Sequence, residues 1–294
     1  MAAFWQQVVS GLASGGVYGA LALALVLIHR ATGVINFAQG EMATFSTYIL
    51  WTLTTNHGVS YWPAFVITLG VSFFGGIGIH QAVIRPVERS SQVRVVIVTI
   101  GLLLLINGLI TWIWTGETRA VKSPFPGGTF DIGGVAISYR DIGTIAVCLG
   151  AVVVLWAFFQ FTKVGLALRA SAVNPSEARL VGVRVTWMLG LGWGLAAALG
   201  AIAGVLTAPS QFLDPNMMQI VLIYAFAAAV LGGIDSPVGA VVGGLLLGVA
   251  LNLLGTYVDW VGAELLLPAA LLVILVVLLV RPAGLFGKPI VKKV

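Results

Sequence analysis

Long apolar stretches separated by short polar breaks dominate this sequence. Uncharged windows run over residues 95–116, 142–162, 185–213, 215–234 and 236–258, and a shorter apolar run covers 265–280. Residues 1–28 carry no charge, and 42–84 are uncharged apart from His57 and His80. The Asn56-His57-Gly58 break and Pro63 divide that long stretch in two. A helix crossing hydrocarbon needs about 20 mostly apolar residues, because each advances roughly 1.5 Å. Membrane β-strands would be nearer ten residues and would alternate strictly, which runs such as 271–280 do not. The pattern predicts an all-α fold, a polytopic transmembrane helix bundle in one domain over 1–294. The first segment lacks a basic leader and its apolar stretch is too long for a cleaved signal, so it reads as a retained first helix.

One region leaves the span count open. If 37–55 crosses fully there are nine helices and the N-terminus is outside. If it is broken or re-entrant there are about eight and both termini are inside. Gly33, Asn36, Gln39, Gly40 and Glu41 are poor company for lipid, and irregular backbone at that depth survives only within protein or beside a water-filled cavity. The expectation is therefore a broken segment and eight spans. Glycine numbers 37, well above the roughly 7% of an average chain. Gly11, Gly15 and Gly19 recur every fourth residue, as do the pairs Gly190/Gly194, Gly200/Gly204, Gly239/Gly243 and Gly244/Gly248. Small residues let helix backbones approach closely in lipid. Such faces fit either a tight static bundle or helices that slide past one another.

Composition agrees with the pattern: 59% of residues are apolar, 9% are charged and the mean hydropathy is +1.05. Soluble domains carry roughly 25% charged residues, so a soluble enzyme, a disordered chain and a secreted disulfide scaffold are all excluded. Cys148 is the single cysteine and reads as a buried, inert thiol. A net charge of +5 would suggest nucleic acid, but the charges lie at the edges of apolar segments, so no nucleic-acid partner is expected. Arg85, Arg89 and Arg94 share one loop, Lys163, Arg169, Arg179 and Arg184 another, and Arg281, Lys288, Lys292 and Lys293 the C-terminal tail. Loops rich in Lys and Arg stay in the cytoplasm. That puts 163–186 and the tail 281–294 inside, and the charge-balanced loop 116–141 outside.

No nucleotide-binding P-loop, zinc-protease or serine-hydrolase signature is present, and no Cys/His metal spacing. His29, His57 and His80 are isolated and read as interfacial or packed side chains. No catalytic or metal-ligating residues are expected. Four segments stand out instead. Asn174-Pro175-Ser176-Glu177 reads as a helix start, with Asn at the N-cap, Pro at N1 and an acid at N3. Ala178, Arg179, Leu180 and Val181 follow, and Gly182 can close the turn in a left-handed conformation. This cytoplasmic helix either rests on anionic headgroups or docks in a partner's groove. The stretch 33–42 holds Asn36, Phe37, Gln39 and Glu41, and polar residues at membrane depth usually pair together or line a path. In 232–239, Asp235 reads as the cap of the next helix with Pro237 in its first turn. Finally, 130–137 resembles a small Gly-Gly hairpin.

Three of these motifs carry a family resemblance. G-V-I-N-F-A-Q-G-E-M (33–42), G-L-A-L-R-A-S-A-V-N-P-S-E-A-R-L-V-G-V (165–183) and V-L-G-G-I-D-S-P-V-G-A-V-V-G-G (230–244) resemble permease subunits of bacterial ATP-binding-cassette importers for branched-chain amino acids, of the LivH type. The resemblance runs over about 8–285. It implies an inner-membrane permease of about eight spans that pairs with a second permease subunit. Two ATPase subunits would bind and hydrolyse ATP, so this chain would need no cofactor, and a periplasmic binding protein would deliver substrate. It assigns 174–182, with Asn174, Pro175, Glu177, Ala178, Arg179, Leu180 and Gly182, as the helix coupled to an ATPase. Relatives that import urea, short amides or aromatic acids leave the substrate open. The rival reading is a stand-alone secondary transporter or channel. It would carry paired intramembrane acids or bases, and these are nearly absent.

Overall fold

The computed structural model describes residues 1–88, 90–258, 261–262 and 264–287; Arg89, Lys288, Lys292 and Lys293 lie outside the described residues. It contains eleven α-helices and one hairpin among those residues. Six helices are long and apolar enough to cross a membrane: α1 (Ala2–Thr32), α3 (Tyr61–Ile79, continued as a π-helical turn to Ile84), α4 (Gln92–Trp114), α5 (Tyr139–Phe161), α8 (Val185–Gln211) and α10 (Pro237–Tyr257). Two shorter apolar helices are α9 (Met217–Gly232) and α11 (Leu266–Val280). Leu272, Leu275, Leu279 and Val280 of α11 are each more than half exposed, as are Val66, Phe74 and Trp112 on α3 and α4. An exterior this apolar is stable only against hydrocarbon.

The chain divides into two compact units, Met1–Val26 with Ser123–Leu149 and Ile220–Val294, and Leu27–Lys122 with Gly150–Gln219. In the first unit, glycine determines the packing. A β-carbon on Gly15 would stand 2.7 Å from the Gly244 carbonyl oxygen, and one on Gly11 would stand 2.7 Å from the Val249 Cα. So α1 and α10 meet backbone to backbone along the predicted stripes. Cys148 is buried beside Gly16. Asn252 of α10 donates to the Gln7 carbonyl at 2.6 Å, and Ser10 donates to Asp141 at 2.8 Å. The hairpin is present: β1 (Thr129–Ile132) pairs antiparallel with β2 (Val135–Ser138). Its turn residues Gly133 (φ +62°) and Gly134 (φ +85°) both take the left-handed conformation that a two-residue turn requires. At 232–239 the cap is Ser236, whose hydroxyl accepts from the Gly239 amide at 3.0 Å, with Pro237 at N1. The shorter hydroxyl next to Pro237 takes the capping role expected of Asp235.

The second unit is built around α8. Trp193, Ala196, Ala201, Ala203 and Val205 are fully buried in it. α2 (Gln39–Thr55) is one unbroken, largely buried helix of 17 residues, about 25 Å long. The irregular stretch precedes it, over 33–38. α2 runs parallel to α8: Gln39 meets Gly200, Ala43 meets Gly204, and Thr47 reaches Gly204 as well. Gln39 Nε2 also donates to the Ala196 carbonyl at 2.8 Å, a level about 16 Å along α8 from its first residue. Ala31, at the end of α1, packs with Ala178, Val185 and Leu189 at the start of α8. The chain thus leaves α1 beside the N-terminal end of α8, runs without helix to the middle of α8, and continues alongside it as α2.

Candidate translocation site and coupling helix

Two of the four pathway candidates pair with one another. Asn36 and Gln39 are fully buried. Asn36 Nδ2 donates to Gln39 Oε1 at 3.2 Å, while its Oδ1 accepts from the Ala38 amide at 3.1 Å. With Gln39 Nε2 on Ala196, this pair pins the non-helical entrance of α2 to the middle of α8. Phe37 is half exposed and stands apart from them.

Glu41 faces a different set. It is 2% exposed, yet Asn107 Nδ2 on α4 reaches its Oε2 at 3.3 Å and Gln219 Nε2 on α9 reaches its Oε1 at 3.4 Å. Asn216 Oδ1 accepts from both amides, at 3.0 Å and 2.8 Å. Asn216 and Gln219 are exposed, so a buried carboxylate lies beneath two accessible amides. Glu41 occupies the third position of α2, where the helix N-terminus favours negative charge. No Lys, Arg or His pairs with it among the described residues. Its electrostatic neighbour is instead the carboxylate of Asp214. A buried carboxylate without a cation is costly. Asn107, Asn216 and Gln219 were not among the sequence candidates. Asn107 lies on α4, Gln219 on α9 and Asn216 in the turn just before α9, and only the fold brings them to Glu41. Among the described residues no group of three His, Cys, Asp or Glu is placed to hold a metal ion.

The outer rim above this site is tied down. Arg119 Cζ sits 4.4 Å over the Trp51 ring, and the Arg119 backbone bridges to Leu213 with both bonds at 2.8 Å. Trp114 donates to Thr52 at 2.9 Å and stacks 5.0 Å from Tyr48.

In the 163–186 loop, α7 (Pro175–Leu180) has the expected start. The Asn174 side chain caps the Glu177 amide at 3.3 Å and takes the Ser176 hydroxyl at 2.7 Å, with Pro175 at N1. Gly182 has φ +83° and closes the helix. The apolar residues do not share one face, however. Ala178 is buried against Val185 and Leu189, whereas Leu180 and Val181 are 86% and 79% exposed. The loop also contains a helix that the sequence reading omitted, α6 (Lys163–Val173), capped by Thr162, whose hydroxyl accepts from the Gly165 amide at 2.9 Å. That Thr-x-x-Gly start was legible, but the strong apolar run before it drew the boundary. Six residues form no stable helix alone, so α7 is held by its contact with α6 and α8. It offers two large apolar side chains to whatever lies below.

Residues 7–280 match the family described as branched-chain amino acid transport system / permease component. The chain belongs to this family. It is 32% identical to the high-affinity branched-chain amino acid transport system permease protein BraD of Pseudomonas aeruginosa, over 99% of this chain and 98% of that one. It is 29% identical to the corresponding LivH protein of Escherichia coli over the same shares. Among solved structures it is similar to a chain of PsaBC from Streptococcus pneumoniae in complex with Fab, with TM-score 0.50 and 14% identity, over 93% of this chain and 91% of that one. That likeness establishes the fold as one that membrane permeases share. The protein is thus a multi-pass inner-membrane transport permease, one component of an ATP-binding-cassette system that works with further subunits.

Proposed function

We propose that this permease passes a small zwitterionic amino acid, branched-chain or closely related, inward across the membrane by alternating access. Glu41 receives the substrate ammonium, which supplies the positive charge its buried carboxylate lacks. Asn107 and Gln219 hold that carboxylate in place, and the Asn36–Gln39 pair fixes the start of α2 beside it. Two ATP-binding-cassette ATPases bind and hydrolyse ATP, so the chain itself is non-catalytic and needs no cofactor. A second permease subunit of the same family completes the pathway, and a periplasmic binding protein delivers substrate. Asn174, Pro175, Glu177, Ala178, Arg179, Leu180 and Gly182 form the element through which an ATPase pushes, with Leu180 and Val181 entering its groove. The observation that carries the reading of the site is the buried carboxylate of Glu41, without a cation among the described residues, beside the exposed amides of Asn216 and Gln219.

The test is Glu41→Gln in the assembled importer. A charge-assisted hydrogen bond contributes about 1.5–3 kcal/mol, so uptake of leucine is expected to fall roughly 10- to 100-fold. Membrane insertion and association with the ATPases should be unchanged. Uptake at the level of the unaltered protein would remove Glu41 from the pathway.

A further inference from the structure

A groove of about 370 Å³ opens at the cytoplasmic end of the second unit, where the π-helical end of α3 meets the turn between α7 and α8. Its described lining includes three guanidinium groups, Arg85, Arg179 and Arg184, and no carboxylate. All three arginines are exposed. Arg85 directly follows the span ending at Ile84, and Arg184 directly precedes the span starting at Val185. Both charges therefore sit at headgroup depth. Trp187 stands on the rim with 54% of its surface exposed, and an amphipathic indole prefers the membrane interface. Gln81 also lines the groove. Its Oε1 accepts from Arg85 at 3.3 Å, which leaves its amide nitrogen as a donor, buried and without a partner among the described residues. Planar guanidinium forks match phosphate oxygens two at a time.

We infer that this groove binds the phosphate headgroup of an anionic phospholipid, which wedges between the end of α3 and the α7–α8 turn. Basic pockets on the cytoplasmic side of a helix bundle suit such headgroups. The site lies beside the coupling helix without depending on its role, because Arg85, Gln81 and Trp187 lie outside α7. A bound headgroup would brace the turn that carries α7 against α8.

The experiment uses the purified full chain in native mass spectrometry, from nanodiscs of phosphatidylglycerol or of phosphatidylcholine. The unaltered protein should retain phosphatidylglycerol in preference to phosphatidylcholine. R85Q/R184Q should lower that retention by about tenfold. R85K/R184K, which keeps charge but loses the fork, should fall between them and gives the same reading if the glutamine variant does not fold. Equal retention of the two lipids, or retention unchanged in both variants, overturns the proposal. Displacement of phosphatidylglycerol by millimolar inorganic phosphate would assign the groove to a soluble anion instead. Unaltered lipid retention with loss of ATPase co-purification in R85Q/R184Q would assign it to an acidic surface of the ATPase. Either of these last two results also overturns the lipid reading.

Discussion

Glu41 shows how far a single side chain can be interpreted here. Its position in the sequence marks it only as an acid at membrane depth. The fold adds that two amides from α4 and α9 hold its oxygens and that no cation answers it among the described residues. Asn36 and Gln39 differ, since their hydrogen bonds are satisfied internally. They act by positioning α2. Replacing both by Leu removes four hydrogen bonds and leaves the Ala38 amide without its Asn36 acceptor, a cost of about 1–3 kcal/mol. Asn36→Leu/Gln39→Leu is expected to reduce uptake and thermal stability together, whereas Glu41→Gln reduces uptake alone. Unchanged uptake in the double variant would count against any role for this pair. Glycine positions make a sharper stability test. Gly15→Leu puts its Cβ 2.7 Å from the Gly244 carbonyl oxygen, whereas a Cβ at position 70 has no neighbour within 4 Å. Overpacking costs about 1–3 kcal/mol, so the first should lower the unfolding temperature and the second should not. Equal temperatures for both would contradict the backbone contact of α1 with α10.

At the scale of elements, the course of α2 decides the topology. The expectation of a broken segment over 37–55 differs from the structure, in which Gln39–Thr55 is one continuous helix. The break lies at 33–38, and the helix after it climbs parallel to α8 rather than turning back. Ala31 lies at the cytoplasmic start of α8, and Trp51 lies beneath Arg119 in the outer loop. We propose that the stretch from 33 to 55 completes a crossing, which would make nine and put the N-terminus outside. A membrane-impermeant thiol reagent should label Ala2→Cys in intact cells, in a Cys148→Ala background; labelling only after permeabilisation would restore eight crossings. Helix α7 has its own test. Pro cannot adopt the φ of +83° found at Gly182, and Lys at Glu177 opposes the helix dipole. Gly182→Pro and Glu177→Lys are expected to abolish substrate-stimulated ATPase activity while the chain still inserts, and normal stimulation in both would refute the coupling role. The capped start of α7, the Gly182 stop, the Gly-Gly hairpin and the glycine stripes were all legible because each depends on local backbone chemistry. The site around Glu41, the outward direction of Leu180 and the π-helical turn were not. They depend on packing between separate elements, as with Glu41 and Gln219, 178 residues apart, or Ala178 and Leu189 on successive helices.

For the molecule as a whole, the chain has a buried carboxylate held by amides and, in the same unit, a capped, apolar-tipped helix. It has no signature of an engine of its own. On the proposed reading, alternating access is powered by partner ATPases, and α7 is where they would apply the force. The most direct measurement is accumulation of labelled leucine in proteoliposomes. The complete assembly with its ATPases, binding protein and ATP should concentrate leucine against its gradient, and this chain reconstituted alone should not. Accumulation by the chain alone, under any imposed ion gradient, would contradict a permease driven by partner subunits.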